Sequence, residues 1–129
     1  MRLPDGYDNL FPYLMVEDAP RFLEFLRAVF DVEELGRTER DGVLANLQLR
    51  MGSVAFMASE ADAMLGPIPA ALYVFVEDVD AVHAKALAHG ATEIFAPADM
   101  PYGDRQGGVK DPFGNVWFVS TRLVDGPYT

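Results

Sequence analysis

Apolar residues along this chain keep two rhythms. Residues 10–16 form a mostly apolar run with aromatics and a valine, the composition of a strand. From Phe22 the spacing changes. Phe22, Phe25, Leu26, Val29 and Phe30 recur at helical intervals and define one apolar face. Asp18 precedes them as an N-cap, and Pro20 is tolerated because it lies in the first turn. Residues 32–40 return to an extended pattern, Asp41-Gly42 signals a hairpin, and residues 43–50 alternate Leu47 and Leu49 against Asn46, Gln48 and Arg50. Gly52-Ser53 is a second tight turn, and residues 54–58 read as a buried strand. The predicted order is β-α-β-β-β.

The same order then recurs. Gly66, Pro67 and Pro69 mark residues 60–70 as a linker. A strand over 71–76 is followed by the cap Asp78, a helix over 79–89 and Gly90 at its C′ position. A strand over 92–96, a longer loop over 97–104 and a short glycine-bearing strand over 106–110 come next. Asp111-Pro112-Phe113-Gly114-Asn115 is a turn, because Pro fixes φ and Gly or Asn supplies a positive one. Residues 116–121 are the last strand. Tyr13-Leu14-Met15-Val16-Glu17-Asp18 is echoed sixty residues later by Tyr73-Val74-Phe75-Val76-Glu77-Asp78, and Glu33 by Glu93. Gly52-Ser53-Val54-Ala55-Phe56 is matched by Gly114-Asn115-Val116-Trp117-Phe118 at an offset of sixty-two, which places a two-residue insertion in the 97–104 loop. The chain is thus read as two copies of one module, about 8–59 and 71–122, with a linker over 60–70 and a loose tail over 123–129.

At 129 residues with half of them hydrophobic, the chain suits one packed domain. Its apolar runs are too short to span a bilayer, and Met1-Arg2-Leu3-Pro4-Asp5-Gly6 lacks a secretory core, so a cytoplasmic protein without membrane contact is expected. With no cysteine, disulfides and thiolate metal sites are excluded. A net charge of −10 repels phosphate backbones, argues against nucleic-acid partners and favours a cationic small molecule.

Val16-Glu17-Asp18 with Phe22 and Phe25, Val76-Glu77-Asp78 with His89-Gly90-Ala91, and the stretch from Tyr102 to Trp117 resemble the vicinal oxygen chelate superfamily, which includes glyoxalases, bleomycin-resistance proteins and extradiol dioxygenases. The ending is similar to that of its PhnB-like subgroup. The resemblance implies an α+β fold of two tandem βαβββ modules forming a glyoxalase-like open barrel, and a homodimer. It also implies a cavity in which enzymes of the family hold a divalent metal by one His, Glu or Gln from each of four strands. The ligand positions fall on Phe11 and Ala71, seven residues before each helix-cap Asp, and on Phe56 and Phe118, four residues beyond each turn glycine. None of these side chains donates an electron pair to a hard ion, so no metal and no other cofactor is expected. The two histidines, His83 and His89, stand six apart on one predicted helix and read as surface or helix-end residues. Glu17 and Glu77 read as groups serving helix N-termini.

Alternation splits each strand between two faces, and the resemblance implies that the face holding the metal positions lines the cavity. This face carries Phe11, Tyr13 and Met15, and Ala71, Tyr73 and Phe75. From the last strands it takes Val54, Phe56 and Ala58, and Val116, Phe118 and Ser120, with Met57, Trp117 and Val119 left to the core. Tyr102, Asp104 and Arg105 sit on the loop beside the second module as candidate gating residues. The expected ligand-binding set is Phe11, Tyr13, Met15, Phe56, Tyr73, Phe75, Phe118 and Arg105. It describes a metal-free binding protein that sequesters a planar or cationic drug in an aromatic cavity, with no assigned catalytic residue. The alternative is a glyoxalase-like lyase, isomerase or dioxygenase with an atypical or absent metal site.

Overall fold

The computed structural model describes residues 1–128. The chain divides into two compact units, Met1–Pro69 and a second beginning at Ala70. The first contains β1 (Tyr13–Val16), α1 (Ala19–Val29), β2 (Val32–Arg40), β3 (Val43–Met51) and β4 (Val54–Glu60). The second contains β5 (Ala71–Phe75), α2 (Val79–Ala88), β6 (Thr92–Asp99), β7 (Asp104–Lys110) and β8 (Val116–Arg122). Each unit is therefore a βαβββ module. Each sheet has four strands, ordered β1-β4-β3-β2 and β5-β8-β7-β6, with the opening strand parallel to the last and the others antiparallel. Among the described residues no helix is long and apolar enough to cross a membrane.

In the first unit α1 lays its apolar stripe on one face of the sheet. Phe22 and Leu26 are fully buried, with Phe25 and Val29 nearly so, over Leu14, Val16, Leu47, Leu49, Phe56 and Ala58. Each such large side chain contributes about 2–3 kcal/mol by leaving water. The start of α1 is fixed from outside the helix. Glu60 of β4 accepts from the Asp18 and Ala19 amides at 2.8 and 2.9 Å, and Asp18 accepts from the Arg21 amide. In the second unit Thr121 Oγ1 takes the same office, accepting from the Val79 amide at 3.0 Å and donating to the Val76 carbonyl. The N-terminal donors expected to be served by Glu17 and Glu77 are met by these groups.

Several boundaries differ from the sequence reading for identifiable reasons. Strand β1 starts at Tyr13, after Pro12, which has no amide to donate. The long loop over 97–104 is half strand: β6 runs to Asp99 and β7 starts at Asp104, joined by residues 100–103. Pro97 is accommodated because β6 is an edge strand whose register shifts between Phe95 and Ala98. The tail returns across the sheet as far as Tyr128, with the Leu123 amide donating to the Gly103 carbonyl and Arg122 reaching the carbonyls of Gly126 and Pro127. The segment after β4 is also ordered along β1, where Met15 and Ile68 form a bridge.

His83 is buried, not a surface residue. It lies between α2 and the sheet, with Nε2 2.8 Å from Glu93 Oε1. Its ring occupies the space a side chain on Gly107 would need, since a Cβ there would sit 2.5 Å from His83 Nδ1. Gly108, on the opposite face of the same strand, is covered by the Phe95 ring in the same way. The Asp111 turn is tied by one carboxylate. Oδ1 accepts from the Phe113 and Asn115 amides at 2.8 and 2.9 Å, and Oδ2 accepts from the Trp117 indole at 2.8 Å. Asp111→Ala removes the acceptor for three donors and is expected to cost about 3 kcal/mol. Urea denaturation followed by the fluorescence of Trp117, the single tryptophan of the chain, measures this. A loss below about 1 kcal/mol would show that water replaces the carboxylate.

Candidate functional site

Strand pairing decides which side chains face away from each helix. In the second unit Tyr73 opposes Phe118 and Phe75 opposes Ser120, while Gln106 and Gly108 of β7 oppose Ser120 and Phe118. These residues share the helix-free face, as expected for Tyr73, Phe75 and Phe118. In the first unit Tyr13 opposes Met57 and Met15 opposes Ser59, while Leu14 opposes Ala58. The helix-free face there carries Tyr13, Met15, Asn46, Gln48, Met57 and Ser59. Phe56 and Ala58 lie on the other face, buried in the core. The expectation that exposed Phe56 and buried Met57 is thus reversed. The last strands correspond at an offset of sixty-one, from Met57 to Phe118, and a slip of one residue exchanges the faces of a strand. Glu60 and Thr121, the two helix-start acceptors, keep the same offset.

The remaining expected site residues scatter. Phe11 precedes β1, half-buried, with its ring 4.8 Å from that of Tyr7. Arg105 is on the helix side of its sheet. It forms a two-point ion pair with Asp80 of α2 and a bond to Asp99 of β6, so it stands off the open face and its charge is already matched. The Asp80 and Asp99 carboxylates hold its guanidinium above its ordinary range.

Both open faces carry a tyrosine, an amide and a serine at corresponding places, but their hydrogen bonds differ. In the first, Tyr13 Oη and Ser59 Oγ are 2.8 Å apart, Asn46 Nδ2 donates to Tyr13 Oη at 3.3 Å, and Gln48 Nε2 donates to Asn46 Oδ1. A cleft of about 500 Å³ lies over this network, bounded by Tyr13, Met15, Thr38, Asn46, Ser59 and Leu65 among others. That is within the usual range for small-ligand sites. Two acids at its rim are committed to the backbone: Glu60 holds the α1 start, and Asp62 accepts from the Met64 and Leu65 amides.

In the second unit Gln106 Nε2 donates to Ser120 Oγ at 2.8 Å, and Tyr102 donates to Gln106 Oε1 at 2.5 Å. Beside them Asp104 is fully buried. Its carboxylate accepts from Tyr73, from Tyr128 at 2.6 Å and from Arg122 at 3.0 Å. Burial pushes this carboxyl up, but the Tyr128 and Tyr73 hydroxyls and the Arg122 guanidinium together hold it below its ordinary value. Hydrogen bonding to Asp104 and Tyr73 raises the Tyr128 phenol in turn. Apolar cover comes from a band of rings. Tyr73 lies 5.4 Å from Phe75 and 6.1 Å from Phe118, and Phe95 lies 6.2 Å from Phe118. Tyr73 and Phe75 remain about half exposed.

Sequence reasoning placed Asp104 on a loop and gave Tyr128 to a loose tail. Alternation from Gly108 back through Gln106 to Asp104 was the available signal for the first, and nothing local pointed to the second.

Residues 9–119 match the Glyoxalase/Bleomycin resistance protein/Dioxygenase superfamily, and the chain belongs to this family. An uncharacterized protein of Mycobacterium bovis is 37% identical over 120 residues, covering 84% of this chain and 79% of its own length. A Mycobacterium tuberculosis protein, also uncharacterized, is 37% identical over the same span, with 84% and 71% covered. Among solved structures, TioX from Micromonospora sp. ML1 is 25% identical with a TM-score of 0.74, covering 90% of this chain and 99% of its own. A PhnB protein from Bacillus cereus, 21% identical with a TM-score of 0.72 over 88% of this chain and 99% of that one, shares the fold.

Enzymes that the family resemblance brings to mind hold a metal at positions that fall here on Phe11, Ala71, Phe118 and, with the register corrected, Met57. Three hydrocarbon side chains and a thioether do not fit a hard divalent ion. Among the described residues no group of three or more His, Cys, Asp or Glu side chains is gathered to hold one elsewhere.

Asp104 generates a pH prediction. A carboxyl held below its unfolded value contributes stability above that value and loses the contribution as pH falls through the folded one. Wild-type protein is expected to lose stability more steeply than Asp104→Asn between about pH 5 and pH 2, while the variant is the less stable near neutrality. Urea denaturation at stepped pH measures both slopes, and equal slopes would show that Asp104 titrates normally.

Proposed function

We propose that this protein is a metal-free small-molecule binder that takes a planar, partly apolar ligand against the open faces of its sheets. The observation that carries this reading is the repeated open face itself: a tyrosine, an amide and a serine at corresponding places, each in a hydrogen-bond network, with Met57 or Phe118 where a metal donor would have to stand. Such a surface supplies flat apolar area and a few fixed polar atoms, which suffice to orient a ligand. Covering about 300 Å² of apolar ligand surface contributes roughly 7 kcal/mol before association costs, enough for micromolar binding without a metal. The net charge of −10 favours a cationic ligand through the long-range field, although Glu60 and Asp62 are already engaged locally.

The reading includes a homodimer. Each sheet has edge strands to cover, and Val54, Tyr73, Phe75 and Ile94 are about half exposed. Sedimentation equilibrium is expected to return twice the chain mass of 14.2 kDa, and a monomer at micromolar concentration would remove this part of the proposal.

Binding is tested by metal analysis of purified protein and by thermal shift against planar and cationic drugs, with and without nickel, zinc, manganese or iron. A ligand at a hundred times its dissociation constant is expected to stabilise the fold by about 2.7 kcal/mol with no metal added. Stoichiometric bound metal, or stabilisation by metal alone, would falsify the reading. Phe118→Glu places a charge among the rings and is expected to weaken an apolar ligand at least about tenfold. Unchanged affinity would show that the ligand sits elsewhere.

A further inference from the structure

Tyr128 occupies the open face of the second unit in the manner of a bound molecule. Its hydroxyl donates to the buried Asp104 carboxylate at 2.6 Å and lies 3.4 Å from the Tyr73 hydroxyl. The Arg122 guanidinium carbon stands 4.5 Å from its ring centroid, and the Tyr102 ring meets it edge-on at 6.4 Å. Every group that receives it belongs to β5, β7, β8 or the turn between β6 and β7. The seat therefore does not depend on the tail for its framework. Arg122 is anchored independently of the ring by Asp104 Oδ1 at 3.0 Å and the Tyr102 carbonyl at 2.8 Å.

The tail beyond Leu123 is held lightly. Among the described residues its hydrogen bonds are those of Arg122 to the Gly126 and Pro127 carbonyls, at 3.1 and 3.4 Å, and those of Tyr128 itself. More than half of the Tyr128 side chain is open to solvent. A segment with little apolar burial and few bonds opens at low cost. When it leaves, it uncovers a carboxylate that needs a donor, a flat cation that accepts a ring, and the aromatic edge of Tyr102.

We propose that this seat is a binding site for a hydroxylated aromatic ring, with Tyr128 as its built-in occupant and competitor. The inference rests on the reading of the open faces as ligand-binding surfaces and names the ligand class for one of them. The ligand hydroxyl donates to Asp104, and the ring stacks under Arg122. A neutral phenol satisfies both. Its methyl ether has no proton to donate and leaves the carboxylate short of a partner, and an aryl carboxylate is repelled by Asp104.

The test uses the full chain and three probes of one shape: 4-methylphenol, 4-methylanisole and 4-methylbenzoate, titrated by NMR. An occupied seat lowers apparent affinity by the fraction of molecules in which it is free, so Tyr128→Ala is expected to bind 4-methylphenol about tenfold more tightly than wild type. The ether and the carboxylate are expected to gain nothing. Adding Asp104→Asn is expected to abolish the preference for phenol over ether. If that variant does not fold, Arg122→Lys in the Tyr128→Ala background keeps the charge, loses the flat guanidinium face and is expected to weaken the phenol. Equal phenol affinity in wild type and Tyr128→Ala, including no binding by either, overturns the proposal, as does equal affinity for phenol and ether. A planar drug that binds both forms alike leaves the broader binding reading standing and removes this one. Phenol binding gained in Tyr128→Ala, with nothing from the drug panel, does the reverse.

Discussion

Each sheet in this protein packs a single helix, and the two-residue period of a strand then decides what remains. The large apolar side chains that meet the helix are buried, and their neighbours along each strand are turned to the other face. The parallel pairing of the opening strand with the last one locks this division, because it couples Tyr13 to Met57 and Tyr73 to Phe118. The helix-start contacts depend on the same register, since Glu60 and Thr121 reach the N-terminal amides only from the end of that last strand. One pairing thus sets the core, the helix position and the open face together.

The two units share the layout of their open faces along with the fold. Tyr13, Asn46 and Ser59 in one unit stand where Tyr73, Gln106 and Ser120 stand in the other. The hydrogen bonds made from these shared positions differ between the halves. The first is overlaid by a cleft in which Glu60 and Asp62 serve the backbone. The second carries Asp104 and Arg122, an ion pair whose buried carboxylate also accepts from two tyrosine hydroxyls. A buried carboxylate is tolerable only with such a full set of donors. Its partners are accordingly placed by β5, β8 and the tail at once.

Much of the module was legible in the chain. The helices announced themselves through Asp18, Pro20, Asp78 and Gly90, and the hairpin through Asp41-Gly42, whose backbone adopts φ of 53° and 78° as that turn requires. The open-face roles of Tyr13, Met15, Tyr73, Phe75 and Phe118 followed from alternation. Phe56 was misplaced because Phe56 and Phe118 match by residue type, whereas strand pairing matches Met57 to Phe118. Identity of letters is a weak guide where both faces of a strand are apolar, since either register places a hydrophobic residue in the core. Arg105 was misread because a charged residue beside a glycine-rich strand carries no sign of which face it takes.

The local sequence determined the element types, the repeat and the residue types at three of the four positions the family would use, Phe11, Ala71 and Phe118. These depend on spacing, turn chemistry and residue identity, which act over a few neighbours. Tertiary structure alone decided the register of β4, the burial of His83 behind Gly107 and the meeting of Tyr73, Asp104, Arg122 and Tyr128. Those contacts join residues tens of positions apart. They exist because strand pairing brings β5, β7 and β8 side by side and the tail returns across them, and no local pattern encodes that proximity.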